Sequence, residues 1–274
     1  MTRALHRTSG FSLIELAVVL FIVSLLIGGL LMPLSAQHEI RGRQETDKAL
    51  ANIGEALIGF AVINGRLPCP APATLATGAT GVGLEATTAA AGTTSTTGPC
   101  GCTTANSGLA SAGGAICDDS TPGDVTGVLP WATLGLPETD AWGNRYTYRM
   151  TTRFGRVASA QSVFGGSCVP TSNPTSAAFA LCSAGNISVL PAVGSTTTPL
   201  ASSVPAIVIS HGKNTLGAYS PSGAQIGGLT AGSDEAENAN GDATFVSSTA
   251  IDDQLIWLST NILMGRMLAA GKLP

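Results

Sequence analysis

Apolar residues are distributed unevenly along the chain. A polar leader of ten residues, MTRALHRTSG, gives way to a 24-residue apolar run, 11–34, in which Glu15 is the one charged position. At about 1.5 Å per residue, a helix of that length reaches across a hydrocarbon core roughly 30 Å thick. The leader holds Arg3 and Arg7 and no acid. A secretory signal peptide has a shorter apolar core followed by a small-residue cleavage site, so this pattern predicts a single-pass anchor over 11–34. From Glu39 to Ile63 the pattern turns amphipathic: Leu50, Ile53, Leu57 and Phe60 recur at spacings of three and four, giving one apolar stripe. Glu39, Arg41, Arg43, Glu45, Asp47 and Lys48 alternate in sign as a solvated face does. The expected element is one long helix with 35–63 as its amphipathic continuation. Gly28, Gly29 and Pro33 interrupt its apolar half, where Pro removes a backbone bond and kinks or locally melts a helix.

Beyond the helix the pattern is weaker. Residues 64–126 read as a loop region, and within it Ala, Thr, Gly and Ser fill 37 of the 51 positions 71–121. Such a stretch lacks the side chains for a core of its own and predicts an irregular, exposed loop. Residues 127–274 read as a small antiparallel sheet with a closing helix. Tyr146, Tyr148 and Met150 alternate with polar partners as in a half-buried strand, Val204–Ser210 is a short apolar strand, and Leu255–Leu258 is a third. Asn261–Ala270 suits the closing helix. The economical fold class is α+β: a long N-terminal helix packed on a small antiparallel sheet.

Composition sharpens this picture. Only 11% of the 274 residues are charged and 5% are aromatic, against roughly 25% charged in an average domain. Mean hydropathy is +0.32, concentrated in the run at 11–34. A formal net charge of −4 argues against nucleic acid as a partner through a broad basic surface.

The string Gly10-Phe11-Ser12-Leu13-Ile14-Glu15-Leu16, at the border of leader and apolar run, resembles the processing motif of type IV pilins and type II secretion pseudopilins. The resemblance implies that prepilin peptidase cuts between Gly10 and Phe11 and that Phe11 is N-methylated. It gives Glu15 the task of neutralising the terminal amine of a neighbouring subunit. It implies a structural filament subunit held in the bacterial inner membrane with its large domain in the periplasm. Its partners would be copies of itself, other pilins or pseudopilins, prepilin peptidase, the inner-membrane assembly platform and lipid. Counting Arg3 and Arg7 against Arg41, Arg43 and Lys48 does not decide the orientation; the resemblance does. The segment Asp140-Ala141-Trp142-Gly143-Asn144-Arg145-Tyr146-Thr147-Tyr148 is similar to a Trp-Gly segment of major pseudopilins. Gly143-Asn144 supplies a turn there, with Trp142 over the core. A membrane-anchored periplasmic or surface binding or adhesion domain, outside any filament, is the other reading.

Candidate chemistry is sparse. Asp234, Glu237, Asn238, Asp242 and Asp252 supply hard oxygen ligands of the kind Ca²⁺ takes, and major pseudopilins carry calcium in a loop at a similar place. A solvated acidic loop accounts for the same residues. No cofactor other than calcium is expected. His211 is the one histidine of the large domain clear of the leader and membrane border; no Gly-x-Ser-x-Gly elbow, phosphate loop or zinc-protease motif accompanies it. A neighbouring Ser210 would point the other way along a strand. The expectation is a loop-anchoring histidine and no enzyme. Six cysteines imply an oxidising compartment. Six allow about 15 pairings; Cys168 with Cys182 and Cys69 with Cys117 are the preferred ones. A zinc site on Cys69, Cys100, Cys102 and Cys117 has an atypical one-residue gap.

Overall fold

The structure, a computed structural model, describes residues 12–86, 116–118, 124–151, 154–155 and 177–273, without the side chains of 27–36, 116–118 and 124–125. The chain divides into two compact units, Met1–Gly42 and Arg43–Pro274.

Helix α1, Leu13–Asn64, contributes to both. Its backbone is helical straight through Gly28, Gly29 and Pro33, so the local melting expected at Pro33 does not occur. In the first unit every described side chain from Leu13 to Leu26 is exposed. No helix is long and apolar enough to cross a membrane among the described residues, whose side chains in the apolar run stop at Leu26.

In the second unit α1 buries Leu50, Ile53, Leu57, Ile58 and Ala61. The stripe thus continues from Leu57 to Ala61 at the next i+4 step. Phe60 is half-buried instead, under the Arg66 guanidinium, which lies 5.3 Å from its ring centroid. Helix α4, Thr260–Ala269, adds Leu263, Met264 and Met267 to the same cluster. Each fully buried side chain of this size contributes about 1.5–3 kcal/mol relative to exposure.

These helices cover one face of an antiparallel sheet of strand order β1-β2-β3-β6-β8. Its strands are β1 (Ile116–Asp118), β2 (Asp124–Val128), β3 (Thr147–Thr151), β6 (Ala206–Ser210) and β8 (Gln254–Trp257). A second sheet, absent from the sequence expectation, orders β5 (Ala201–Val204), β4 (Ile187–Leu190) and β7 (Thr244–Val246), with β4 and β7 parallel. Strand β6 serves both layers. Ala206 and Val208 join the helix-side cluster, while Ile207 and Ile209 pack with Ile187, Val189, Val204 and Phe245. That double burial explains the unbroken apolar run of β6 and corrects the reading of β3 as half-buried, since all five of its residues are buried. The Val204–Ser210 segment divides at Pro205, which cannot donate to a ladder, into the end of β5 and the whole of β6.

The start of the loop region is not the exposed coil expected. Leu67, Cys69, Ala71 and Ala73 are fully buried, and Ala71 bridges Val128. The turn at Gly81–Gly83 wraps Trp131 of the short helix α2, Trp131–Leu134. A Cβ on Gly83, whose φ is +70°, would lie 2.4 Å from that indole. Positions 87–115, the bulk of the Thr-rich segment, are outside the described residues.

Candidate functional site

Two places among the described residues hold the polar groups that bear on function. One is the N-terminus of α1. The Ser12 N–H and hydroxyl both donate to Glu15 Oε2, at 2.9 and 3.0 Å, and the Glu15 N–H donates back to Ser12 Oγ at 3.3 Å. This reciprocal Ser-x-x-Glu arrangement is a capping box. The first helical backbone bond follows, Leu16 N–H to Ser12 C=O at 3.2 Å. Beyond it the helix surface is apolar, with Leu13 89% and Phe21 67% exposed. Gly10 and Phe11 fall outside the described residues.

The other place is the polar interior of the second unit. The Asp140 carboxylate organises the turn 140–144: Oδ1 accepts from the Trp142 and Asn144 N–H groups, and Oδ2 accepts from the Ser210 hydroxyl at 2.6 Å. Gly143 takes φ +85° at the bend, which is the turn expected of Gly143-Asn144. Burial raises the Asp140 pKa, and those hydrogen bonds offset part of the rise.

Next along the chain, Arg145 has a fully buried side chain. Its guanidinium donates to Glu138, to the Ala73, Leu75 and Pro221 carbonyls and to the Thr77 hydroxyl. It also lies 4.8 Å from the Trp131 ring centroid. One planar cation thus ties together the loops at 73–77, 138 and 221. Arg149, two residues on and also buried, donates to Thr126 Oγ1 and to the Gly241 carbonyl. Sequence reasoning missed both arginines. For Arg149 the signal is present in hindsight: a strand covered on both faces has no solvated side, so a charged residue within it must be enclosed and satisfied. Arg145 precedes that strand and is enclosed by loops.

His211 sits where β6 ends, with Thr147 Oγ1 2.9 Å from Nε2 and Asp253 Oδ2 3.8 Å from Nδ1. Asp253 Oδ2 also accepts from the Asn238 amide at 2.8 Å. Both members of the His211–Asp253 pair have fully buried side chains. Burial lowers the His211 pKa to about 4. Burial, with smaller repulsion from Asp252 and Glu235, lifts Asp253 to about 7 against the Asn238 hydrogen bond. Between these values both groups are neutral, in keeping with a separation too long for an ion-paired hydrogen bond. The hydroxyl–imidazole–carboxylate order has the outline of a nucleophile relay, yet its chemistry is wrong for one. An imidazole depressed to about 4 is a poor base near neutral pH. The adjoining cavity, lined by Thr147, Asn238, Tyr219 and Gln225, holds about 40 Å³, against roughly 300 Å³ or more for a ligand pocket. Ser210 turns away to Asp140, as strand alternation requires.

The five residues expected to offer oxygen to a cation are engaged in local structure. Asp234, in the first turn of α3 (Asp234–Ala239), accepts from Val193 N–H; Asp242 accepts from Thr244 N–H; Asp252 accepts from Asn214 N–H. Asn238 pairs with Val246 through both its amide nitrogen and its oxygen. Glu237 accepts from Asn240, and burial followed by the charges of Asp242 and Asp234 raises its pKa. Glu237 thus feels the charges of Asp234 and Asp242, while Asn238 and Asp252 are directed elsewhere. Among the described residues no three His, Cys, Asp or Glu side chains are grouped to hold a metal ion.

Cys69 and Cys182 each take part in a disulfide. Cys168 lies outside the described residues, as does the Cys117 side chain, so the two expected pairings fall there.

Residues 5–31 match the family model described as the prokaryotic N-terminal methylation motif. No curated protein and no solved structure gives a significant match to the chain.

Proposed function

We propose that this chain, which carries the N-terminal methylation motif of the type IV pilin and pseudopilin-like family, is a structural subunit of a pilus-like or secretion pseudopilus filament. Prepilin peptidase removes residues 1–10, and Phe11 becomes the N-methylated terminus. The apolar run 11–34 anchors the subunit in the inner membrane, with the unit that begins at Arg43 in the periplasm. On assembly the run moves from lipid into a bundle of identical helices.

One observation carries this reading: the matched motif overlaps the start of a helix whose described apolar side chains, Leu13 to Leu26, are exposed. A continuous apolar surface of this kind needs lipid or further protein over it, and the same side chains serve in both places. Glu15 is the exception to the apolarity. An ionised carboxylate is costly in lipid or in a helix bundle, and pairing it with the terminal amine of a neighbour offsets that cost. The interior of the second unit supports a structural role, because its buried Asp140, Arg145 and Arg149 tie loops and strands together.

Expression of the full chain with its peptidase and assembly machinery should yield sheared filaments that contain it. Glu15→Ala should leave the leader removed and the amount in filaments sharply reduced. Normal incorporation of that variant would remove the role given to Glu15, and absence of the wild-type chain from every filament fraction would overturn the proposal.

A further inference from the structure

His211 and Asp253 face each other with no exposed side-chain surface, so a proton reaches them through a chain of polar groups or by opening of the fold. His211 Nδ1 and Asp253 Oδ1 have no hydrogen-bond partner among the described residues. Two polar side chains lead away from the pair. The Asn238 amide donates to Asp253 Oδ2, but an amide nitrogen only donates and cannot take up a proton to pass on. The Thr147 hydroxyl, 2.9 Å from His211 Nε2, can donate and accept.

Thr147 also lines the cavity of about 40 Å³ that it shares with Tyr219, Gln225 and Asn238. One water takes about 10–15 Å³ of such space and needs two to four polar partners. Cavities that stay dry are walled by apolar side chains, whereas this wall carries hydroxyl and amide groups.

We infer that the cavity binds ordered water, and that this water is the port through which His211 exchanges protons with solvent, by way of the Thr147 hydroxyl. A proton arriving on the water passes to Thr147 Oγ1 as the hydroxyl's own proton moves to His211 Nε2. The imidazole then holds two protons and releases one from Nδ1 toward Asp253. The return runs through the same atoms in reverse, and Thr147 is left neutral each time. The buried pair thereby gains or loses a proton while β3 and β6 stay paired.

The test is nuclear magnetic resonance of the full chain in detergent, with isotope-labelled histidine, at mildly acid pH. The His211 ring signal is identified by its absence from His211→Asn. Saturation transfer from water measures exchange of the ring proton, and cross-relaxation at the Gly217 and Gly241 amides, which line the cavity, detects water held there. The expected result is cross-relaxation at these amides and, in Thr147→Val, ring exchange about fivefold to tenfold slower, the scale of one lost hydrogen bond. Thr147→Ser, which keeps the hydroxyl, and Asp252→Asn, on the far side of the pair, should stay within about twofold of wild type. Absence of held water at both amides overturns the inference. So does Thr147→Val exchanging as fast as wild type or faster, which would assign the exchange to opening of the fold. Slowed exchange in Asp252→Asn would place the port on the acidic side and overturn it too. If Thr147→Val does not fold, the wild-type amides and Asp252→Asn still decide the matter.

Discussion

The buried pair His211–Asp253 should make stability depend on pH in opposite directions once either member is removed. In the unfolded chain the two groups titrate near their ordinary values of 6.5 and 3.8; in the fold they titrate near 4 and 7. A raised carboxyl pKa stabilises the fold below 3.8, and that contribution is lost as pH rises toward 7. A lowered imidazole pKa acts the other way: stability is complete above 6.5 and is lost as pH falls toward 4. Between about pH 4.5 and 6.5 the unfolded pair holds one proton, on the histidine, and the folded pair also holds one, on the aspartate. Equal proton counts give no slope, so the wild-type pair contributes almost no pH dependence in this window. Asp253→Asn leaves the histidine alone, and the fold should lose about 2 kcal/mol between pH 6.5 and 4.5. His211→Asn leaves the aspartic acid alone, and the fold should lose about 2 kcal/mol between pH 4.5 and 6.5. Both figures follow from about 1.4 kcal/mol per pH unit for one proton, reduced at the ends of each titration. Other raised groups, Asp140 and Glu237, are common to all three proteins and drop out when each variant is subtracted from wild type. Urea unfolding of the full chain in detergent, disulfides intact, at pH 4.5, 5.5 and 6.5 measures the three curves. Difference curves of the same sign, or flat for both variants, would refute the assignment of the proton to Asp253.

The Arg145 clamp should be the most sensitive position of the Asp140–Tyr148 segment. Arg145→Met takes the guanidinium from Glu138 and from the Ala73, Leu75 and Pro221 carbonyls, with Thr77 still donating to Glu138 and Pro221, and a loss of about 3–5 kcal/mol is expected, read as a fall in Tm in thermal denaturation. Arg145→Lys should recover little of it, since an ammonium cannot reproduce the planar set of donors. Thr215 holds φ +66° although it is β-branched, and Thr215→Gly should stabilise by about 1 kcal/mol, seen as a higher Tm.

Legibility in the sequence followed the range of the interactions. The leader, Gly10-Phe11, Glu15 and the helix through Ile63 are contiguous signals, and helical periodicity alone locates Leu50, Ile53 and Leu57 in the core. The turn at Gly143 was legible for the same reason. The second sheet was not: its strands are three or four residues long, lie between Gly- and Ser-rich segments and pair β4 with β7 across more than fifty residues. Without that layer, β3 reads as half-buried and Arg149 as solvated. Phe60 went wrong by one residue, because i+3 and i+4 steps from Leu57 both preserve the stripe and only packing chooses Ala61. The acidic residues 234–252 were visible as composition, whereas their division among Val193, Asn214, Thr244 and Val246 depends on register that no local pattern encodes.

The central claim rests on the fate of the bond between Gly10 and Phe11, and intact-mass analysis of the chain expressed with and without prepilin peptidase tests it most directly. With the peptidase the mass should fall by residues 1–10 and rise by one methyl group, with N-methyl-phenylalanine as the first residue on sequencing. A chain that keeps its leader in the presence of active peptidase would contradict the account.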